Sequence, residues 1–331
     1  MNNRRKLIVA LGAGALTHPF SSYAQPQGKV WRIGFLSSEN ASGYRTRIDA
    51  LRAGLRDFGY EEGKNLLIEF RWAEGKFDRL SELATDLAHL PVDIIVTHAY
   101  GVRAAKDAST TIPIVMATSG DPVALGLVAS LARPGGNITG STFFPRELEA
   151  KRIELLKDAF PRITQVAVLT ARSTLATQNS LVTQYFQAME ATARSVKVTV
   201  NRFEVRGADE FESAFAAMVK QRVGAVTVND TPLFLANAKV LADLAVKHRL
   251  PMIGSSEFAQ AGALMGFGAN LLELYRRVGF FVDKIIKGTQ PGIIPVEQPA
   301  RFEFLVNMKT ARLLDIKMPQ LFLQRADRLI E

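Results

Sequence analysis

Small polar and acidic side chains recur directly after apolar, strand-type runs. Ser37 and Ser38 follow RIGFL, Thr97 and His98 follow DIIV, and Thr118, Ser119 and Asp121 follow IPIVMA. In the second half, Thr170 and Ser173 follow VAVL, Asn229 and Asp230 follow AVTV, and Ser255, Ser256 and Glu257 follow PMIG. Taken singly, each of these is an ordinary turn residue. Their recurrence in both halves suggests a cleft lined with hydrogen-bonding groups, because ligands of open parallel sheets bind outside the carboxyl ends of the strands. Such groups can hold a small polar ligand by both ends: Asp121 an ammonium or hydroxyl donor, and Thr118, Ser119 and the Gly120 N–H a carboxylate or carbonyl oxygen. Asp121 precedes Pro122 and is also placed to cap a helix beginning there. A capping carboxylate already offsets the positive helix end, so this terminus suits a ligand's donors better than a second anion. The ligand-binding residues expected are Ser37, Ser38, Thr97, His98, Thr118, Ser119, Asp121, Ser173, Asn229, Asp230, Ser255 and Glu257. The nearby aromatics Tyr100, Phe143, Phe144, Phe234 and Phe258 are mostly packing residues, any that face the cleft being able to stack on a flat ligand.

Other chemistries find little support. There is no cysteine, which removes cysteine zinc sites, a cysteine nucleophile and a disulfide framework. No His-x-x-x-His spacing suggests a metal. GSSE at 254–257 lacks the second glycine of a nucleophile elbow. GAGALT at 12–17 and GFGANL at 266–271 each lack the third glycine of a dinucleotide loop, and GYEEGK at 59–64 is one residue short of a P-loop. We expect no metal, no cofactor and no catalytic residue. An exported α/β enzyme acting on a small polar metabolite is the alternative; it would need a base of displaced pKa, for which His98, Asp230 and Glu257 are available.

The residues require elements to aim them. From Trp31 onward, short apolar runs alternate with amphipathic segments, the pattern of a parallel α/β sheet. Strands are expected at 32–36, 66–70, 93–97, 112–117, 166–170, 196–203, 225–228 and 251–254. Ile48, Leu51, Leu55 and Phe58 share one helical face, as do Leu80, Leu83, Leu87 and Leu90, and Phe211, Phe215 and Met218; these are core stripes. In each half the third strand ends in a polar pair and the fourth has an early proline, which suggests two lobes of related topology. RPGGNITGSTFFPREL at 133–148 reads as an extended crossing between them, followed by a helix over 147–160. A long amphipathic helix carries Leu271, Leu274, Val278, Phe281 and Ile285 inward. The fold class expected is α/β, two doubly wound parallel-sheet lobes joined by a hinge: lobe 1 over 28–143, lobe 2 over 144–266, and 267–331 returning to lobe 1 and the hinge.

The 331 residues, 47% hydrophobic and 22% charged, fit two globular domains with ample core. Residues 1–24 combine a basic start, the apolar LIVALGAGAL and a polar SSYA end, the three regions of a secretory signal peptide cleaved after Ala24. That stretch is too short for a stable membrane anchor, so a periplasmic protein is expected. The paired Arg4 and Arg5 would also suit the twin-arginine route. Net charge is +9 over the chain, but Lys and Arg are interleaved with acids on helical faces, as in RIDALRAGLRDFG. That reads as solvated surface, with no nucleic-acid partner.

Several segments go further. GLRDFGYEEGKNLLIEFRWAEGKFDRL, TIPIVMATSGDPVALGLVASLARPGGNITG, DLAVKHRLP, VDKIIKGTQP, PVEQPARFE and NMKTARLL together resemble the ABC-transporter substrate-binding family. This is a branch of the type I periplasmic binding proteins that includes the streptococcal tryptophan-binding proteins. The resemblance implies two α/β lobes closing on a small solute, which is passed to an ABC permease in the inner membrane driven by a cytoplasmic ATPase. Gly120, Asp121 and Pro122 match the family's loop at the cleft, and Asn137 to Gly140 the segment leading into the crossing. Where similar sequences read G-P-N, this chain has Gly268-Ala269-Asn270. An amino acid, aromatic as a first choice, is the expected ligand and a monomer the expected state. A sensor presenting its solute to a membrane receptor would use the same pocket.

Overall fold

The computed structural model describes residues 29–143, 145–172, 186, 187, 189–299 and 301–331. The signal-peptide segment 1–24, Ser173 and Phe144 lie outside the described residues.

Two sheets organise the chain from Trp31 on. The first holds β1 (Trp31–Ser37), β2 (Leu66–Trp72), β3 (Ile94–His98), β4 (Ile114–Thr118) and β5 (Ile138–Gly140), all parallel, in the order β2-β1-β3-β4-β5. Strands β3 and β4 are buried along their whole length, as their unbroken apolar runs require of a sheet covered on both faces. Helices α1 (Arg45–Arg56), α2 (Leu80–His89) and α3 (Tyr100–Ala108) pack on it. The stripes of the first two reach the core through Ile48, Leu51 and Leu55, and through Leu80, Leu83 and Leu87, whereas Phe58 is exposed just beyond α1.

The second sheet holds β6 (Gln165–Ala171), β7 (Thr199–Val205), β8 (Ala225–Val228), β9 (Met252–Gly254), β10 (Met265–Gly268), β11 (Glu303–Asn307) and β12 (Arg328–Ile330). Its order is β12-β11-β10-β9-β8-β6-β7, parallel throughout except where β11 runs antiparallel to β10. Helices α4 (Pro145–Ala159), α5 (Phe211–Lys220), α6 (Pro232–Ala236), α7 (Ala238–Lys247) and α8 (Ser256–Ala261) follow in chain order. This is the two-lobe α/β architecture expected.

Helix α9 (Leu271–Ile286) crosses back to the first sheet, where Tyr275, Val278, Phe281 and Val282 join the core built by Ile33, Phe35, Leu51 and Val96. Its contact with α1 is made at glycines. A Cβ on Gly54 would land on the Arg276 carbonyl, and one on Gly279 on the carbonyl of Gly54, so the two backbones meet directly.

The structure departs from the sequence reading in the tail. Residues 303–330 do not return to the first lobe. EFLVN adds to β10 as an antiparallel neighbour, and Phe304 and Val306 sink into the second lobe's core with Phe322. The short helices α10 (Met308–Leu313) and α11 (Gln320–Leu323) complete that lobe. Pro122 opens a single turn and no helix: Leu125 N–H bonds to Asp121 O at 3.0 Å and Leu127 N–H to Pro122 O at 2.8 Å, and Gly126, at φ 63°, turns the chain away. Strand β7 starts at Thr199, later than expected, because Lys197 takes a left-handed φ of 57° that redirects the chain first.

Candidate functional site

The connections that leave the carboxyl ends of the two sheets meet. Gly43, in the loop after β1, lies so close to the turn at Ala236 that an added Cβ would stand 2.9 Å from the Ala236 Cβ. Nearby, the Arg47 guanidinium on α1 is ion-paired with Glu257 at the start of α8. Arg47 is 2% exposed and Glu257 17%, so this pair bridges the lobes largely out of water. It corrects the reading of Arg47 as part of a solvated face. Arg47 shares a face with Leu51 and Gly54 at i+4 and i+7, and that buried stripe is the signal that could have found it. A cavity of about 230 Å³ lies beside the pair, lined by Ala50, Ala53, Ser256, Glu257, Asn270 and Glu273 among others.

On the first lobe the residues that end β1 and β3 form a hydrogen-bonded layer. The Thr97 hydroxyl donates to Leu36 O at 2.9 Å. Ser37 Oγ accepts from Glu39 N–H at 3.1 Å and shares a 3.0 Å hydrogen bond with His98 Nε2. His98 Nδ1 lies 3.4 Å from the Tyr44 hydroxyl, and the two rings stack at 4.7 Å. Burial, with Arg47 adding to it, pulls the His98 imidazole down to about 3, so this ring is neutral and structural. Ser38 Oγ donates to Glu39 Oε1 at 3.4 Å. Burial pushes the Glu39 carboxyl up to about 7 against that bond. Thr118 and Ser119 are buried at the end of β4. The Ser119 carbonyl accepts from Phe143 N–H and from the Thr142 hydroxyl, each at 3.1 Å. Asp121 Oδ1 accepts from Val123 and Ala124 N–H, each at 3.0 Å, so the carboxylate caps the turn that Pro122 opens.

On the second lobe the charged groups are enclosed. Arg152 on α4 is wholly buried, pairing with Glu149 at 2.6 Å and with Asp230 at 2.7 Å. Glu149 Oε2 also accepts the Thr227 hydroxyl at 2.9 Å. Burial raises the Glu257 carboxyl above the usual carboxylate range, Arg47 opposing this. Burial is the strongest single influence on Arg47 and works against its charge, but Glu257 together with Tyr44, Tyr275 and Asp230 outweighs it and keeps the guanidinium charged. Phe234 and Phe258 are fully buried core residues of this lobe, and Tyr100 packs edge-on against Phe77.

Among the described residues, eight side-chain polar atoms are buried without a hydrogen-bond partner: Arg47 Nε, Ser119 Oγ, Ser141 Oγ, Asn229 Oδ1, Asp230 Oδ1, Thr231 Oγ1, Ser255 Oγ and Glu257 Oε1. Buried polar groups are normally paired, and such orphans would be costly if scattered through a core. These are not scattered. Seven follow the ends of β4, β5, β8 and β9, and the eighth is on the arginine that reaches Glu257. Ser119, Asn229, Asp230, Ser255 and Glu257 were expected from sequence. Ser141, Thr231, Arg47 and the supporting Glu149 and Arg152 were not.

Comparison with known proteins identifies the family and the fold. The family described as ABC transporter substrate binding protein matches residues 39–330. A tyrosine-binding protein of Clostridioides difficile (strain R20291) is 26% identical over 265 residues, covering 80% of this chain and 74% of its own. Two solved structures have the same fold. A conserved domain protein from Vibrio cholerae is 22% identical and superposes with a TM-score of 0.81 over 91% of this chain and 100% of its own. The ABC domain in complex with L-Trp from Streptococcus pneumonia is 23% identical, with a TM-score of 0.79 over 91% of this chain and 99% of its own. The family consists of solute-binding proteins, not enzymes, and this chain belongs to it: it is an ABC transporter substrate-binding protein.

Proposed function

We propose that the protein is the periplasmic receptor of an ABC importer and that it binds an amino acid between its lobes. The observation that carries this reading is the set of unpartnered buried atoms at the facing strand ends. Their chemistry is uneven. Asn229 Oδ1, Asp230 Oδ1 and Glu257 Oε1, all on the second lobe, can only accept; Arg47 Nε can only donate; the four hydroxyls can do either. Three acceptors together suit an ammonium. Arg47 and Arg152 face Glu149, Asp230 and Glu257, which leaves one formal negative charge to meet it. The Ser119 and Ser141 hydroxyls on the first lobe are available to the ligand's carboxylate. A solute held from both sides stabilises the closed form by the difference in its affinity for the two forms.

An aromatic amino acid is favoured by the relatives, one named as tyrosine-binding and one solved with L-Trp. Residues 1–24 have the make-up of an export signal, and no helix among the described residues is long and apolar enough to cross a membrane. We assign the ammonium to Asp230 and Glu257, since Asp121 is occupied as a cap. The test is native mass spectrometry of the purified protein for a retained solute, followed by titration calorimetry with L-tryptophan, L-tyrosine and a panel of smaller amino acids. Binding of at least one amino acid is expected. A protein that binds none, or retains a solute without an amine, would reject the reading.

A further inference from the structure

Arg152 has more hydrogen bonds than any ion pair needs. Its Nε donates to the Phe267 carbonyl at 2.9 Å, Nη1 to Glu149 Oε1 at 2.6 Å and to the Val228 carbonyl at 3.1 Å, and Nη2 to Asp230 Oδ2 at 2.7 Å. Glu149 is itself fixed by the Thr227 hydroxyl. The four bonds reach three parts of the lobe: α4, the end of β8, and β10 just before the chain crosses to α9. The backbone is fitted to the guanidinium, for a Cβ on Gly268 would stand 3.2 Å from Nη2. One oxygen of Asp230 is thereby held and the other, Oδ1, is left buried and unpartnered.

We propose that Arg152 is the positioning residue of the ammonium site: its planar fork fixes the Asp230 carboxylate so that Oδ1 is presented to the ligand. The proposal rests on the reading that Asp230 receives an ammonium. A guanidinium can do this because its donors are rigidly arrayed in one plane. Lysine, a single point charge on a flexible stem, cannot bond Glu149, Asp230 and two carbonyls together. Losing one partner of a buried ion pair destabilises the fold as a whole, so a merely structural Arg152 would affect amine-bearing and amine-free ligands alike and leave their ratio untouched. A positioning Arg152 sets that preference, because a carboxylate free to turn no longer meets the ammonium in one geometry.

The experiment compares the full chain with its R152K and D230N variants by titration calorimetry. The probes are L-tryptophan and indole-3-propionate, and L-tyrosine and 3-(4-hydroxyphenyl)propionate, each pair differing in the amine. In the wild type the amino acid should bind about 30-fold or more tightly than its partner without the amine, as befits a charge-assisted hydrogen bond. R152K should cut that ratio roughly 10-fold while changing affinity for the amine-free probe by less than about 3-fold. D230N should abolish the preference. If R152K weakens both probes alike while D230N abolishes the preference, the positioning role is overturned and the Asp230 reading stands. If D230N leaves the ratio unchanged, the ammonium reading at Asp230 fails and the proposal with it; a wild type that binds neither pair overturns the aromatic assignment, and the same comparison is then made with the amino acid it does bind and its amine-free counterpart. Should R152K not fold, T227V removes only the hydroxyl that steadies Glu149; a ratio lowered about 3-fold supports the proposal and an unchanged one overturns it.

Discussion

Replacing the two partners of the cross-lobe ion pair, singly and together, tests whether Arg47 and Glu257 latch the lobes. Opposite charges 4 Å apart attract by about 4 kcal/mol at an effective dielectric constant near 20, and desolvation consumes much of that. Removing one partner of a buried pair costs about 3–5 kcal/mol, because a bare charge stays enclosed. Here the loss is smaller: in Glu257→Gln the amide still accepts from Arg47, and the Asp230 carboxylate also supports the guanidinium. About 2 kcal/mol, or roughly 30-fold in an equilibrium constant, is the expected cost. Both groups regain water when the lobes part, so the cost falls on closure and not on folding. Calorimetry with indole-3-propionate, whose lack of an amine leaves out the ammonium role given to Glu257, should show Glu257→Gln and Arg47→Met each weakening binding by roughly 30-fold, with little change in the melting temperature of the ligand-free protein. The double variant encloses no bare charge and should lose no more than roughly 100-fold, far short of the product of the single losses. Independent, multiplying losses would refute the latch, and so would a fall in melting temperature with affinity preserved.

Other predictions concern the groups around that pair. The Glu39 carboxyl, pushed up to about 7 by burial from 4.5, is neutral in both folded and unfolded chains at low pH. As pH rises through 4.5 only the unfolded chain ionises, so stability falls until about pH 7 and then levels, a loss of about 3 kcal/mol. Glu39→Gln should remove that slope from urea melts taken between pH 4 and 8, and a slope kept in the variant would assign it elsewhere. The His98 ring, titrating near 3, should show unchanged NMR shifts from pH 5 to 8; a midpoint near 6.5 would mean that it is solvated. Gly54→Ala forces α1 and α9 apart at a backbone contact and should cost about 3 kcal/mol in urea unfolding, whereas a loss below about 0.5 kcal/mol would show that the helices slide freely.

Much of the scaffold could be read from the chain because its signals are local. Ile94, Ile95 and Val96 form an unbroken apolar run, and Leu80, Leu83 and Leu87 recur at helical spacing; each pattern has one stable solution. The strand-end positions of Ser119, Asp230 and Ser255 followed from where such runs stop. The groups that organise the site were hidden by the rule that serves elsewhere. Arginine is assigned to water unless a partner is known, and Glu257, which pairs with Arg47, and Asp230, which pairs with Arg152, lie 210 and 78 residues away. Both arginines interrupt an apolar face, Arg152 among Leu148, Leu155 and Leu156, and a charge on a core stripe is the readable anomaly. The tail was misread for a related reason. The partner of EFLVN is a four-residue strand centred on glycines, MGFG, whose pairing depends on its neighbour more than on its own side chains.

Helix α9 has a consequence for the order in which the molecule can be made. The first sheet is complete by Gly140, yet the wall formed by Tyr275, Val278, Phe281 and Val282 is translated only after β6 to β10. Until then the earlier half has an open flank of apolar side chains beside Leu51 and Leu55, and only the segment arriving last but one can cover it. Final assembly of the amino-terminal half therefore waits for synthesis of the carboxyl-terminal quarter, and a nascent chain stalled before residue 271 would expose a sticky face to chaperones.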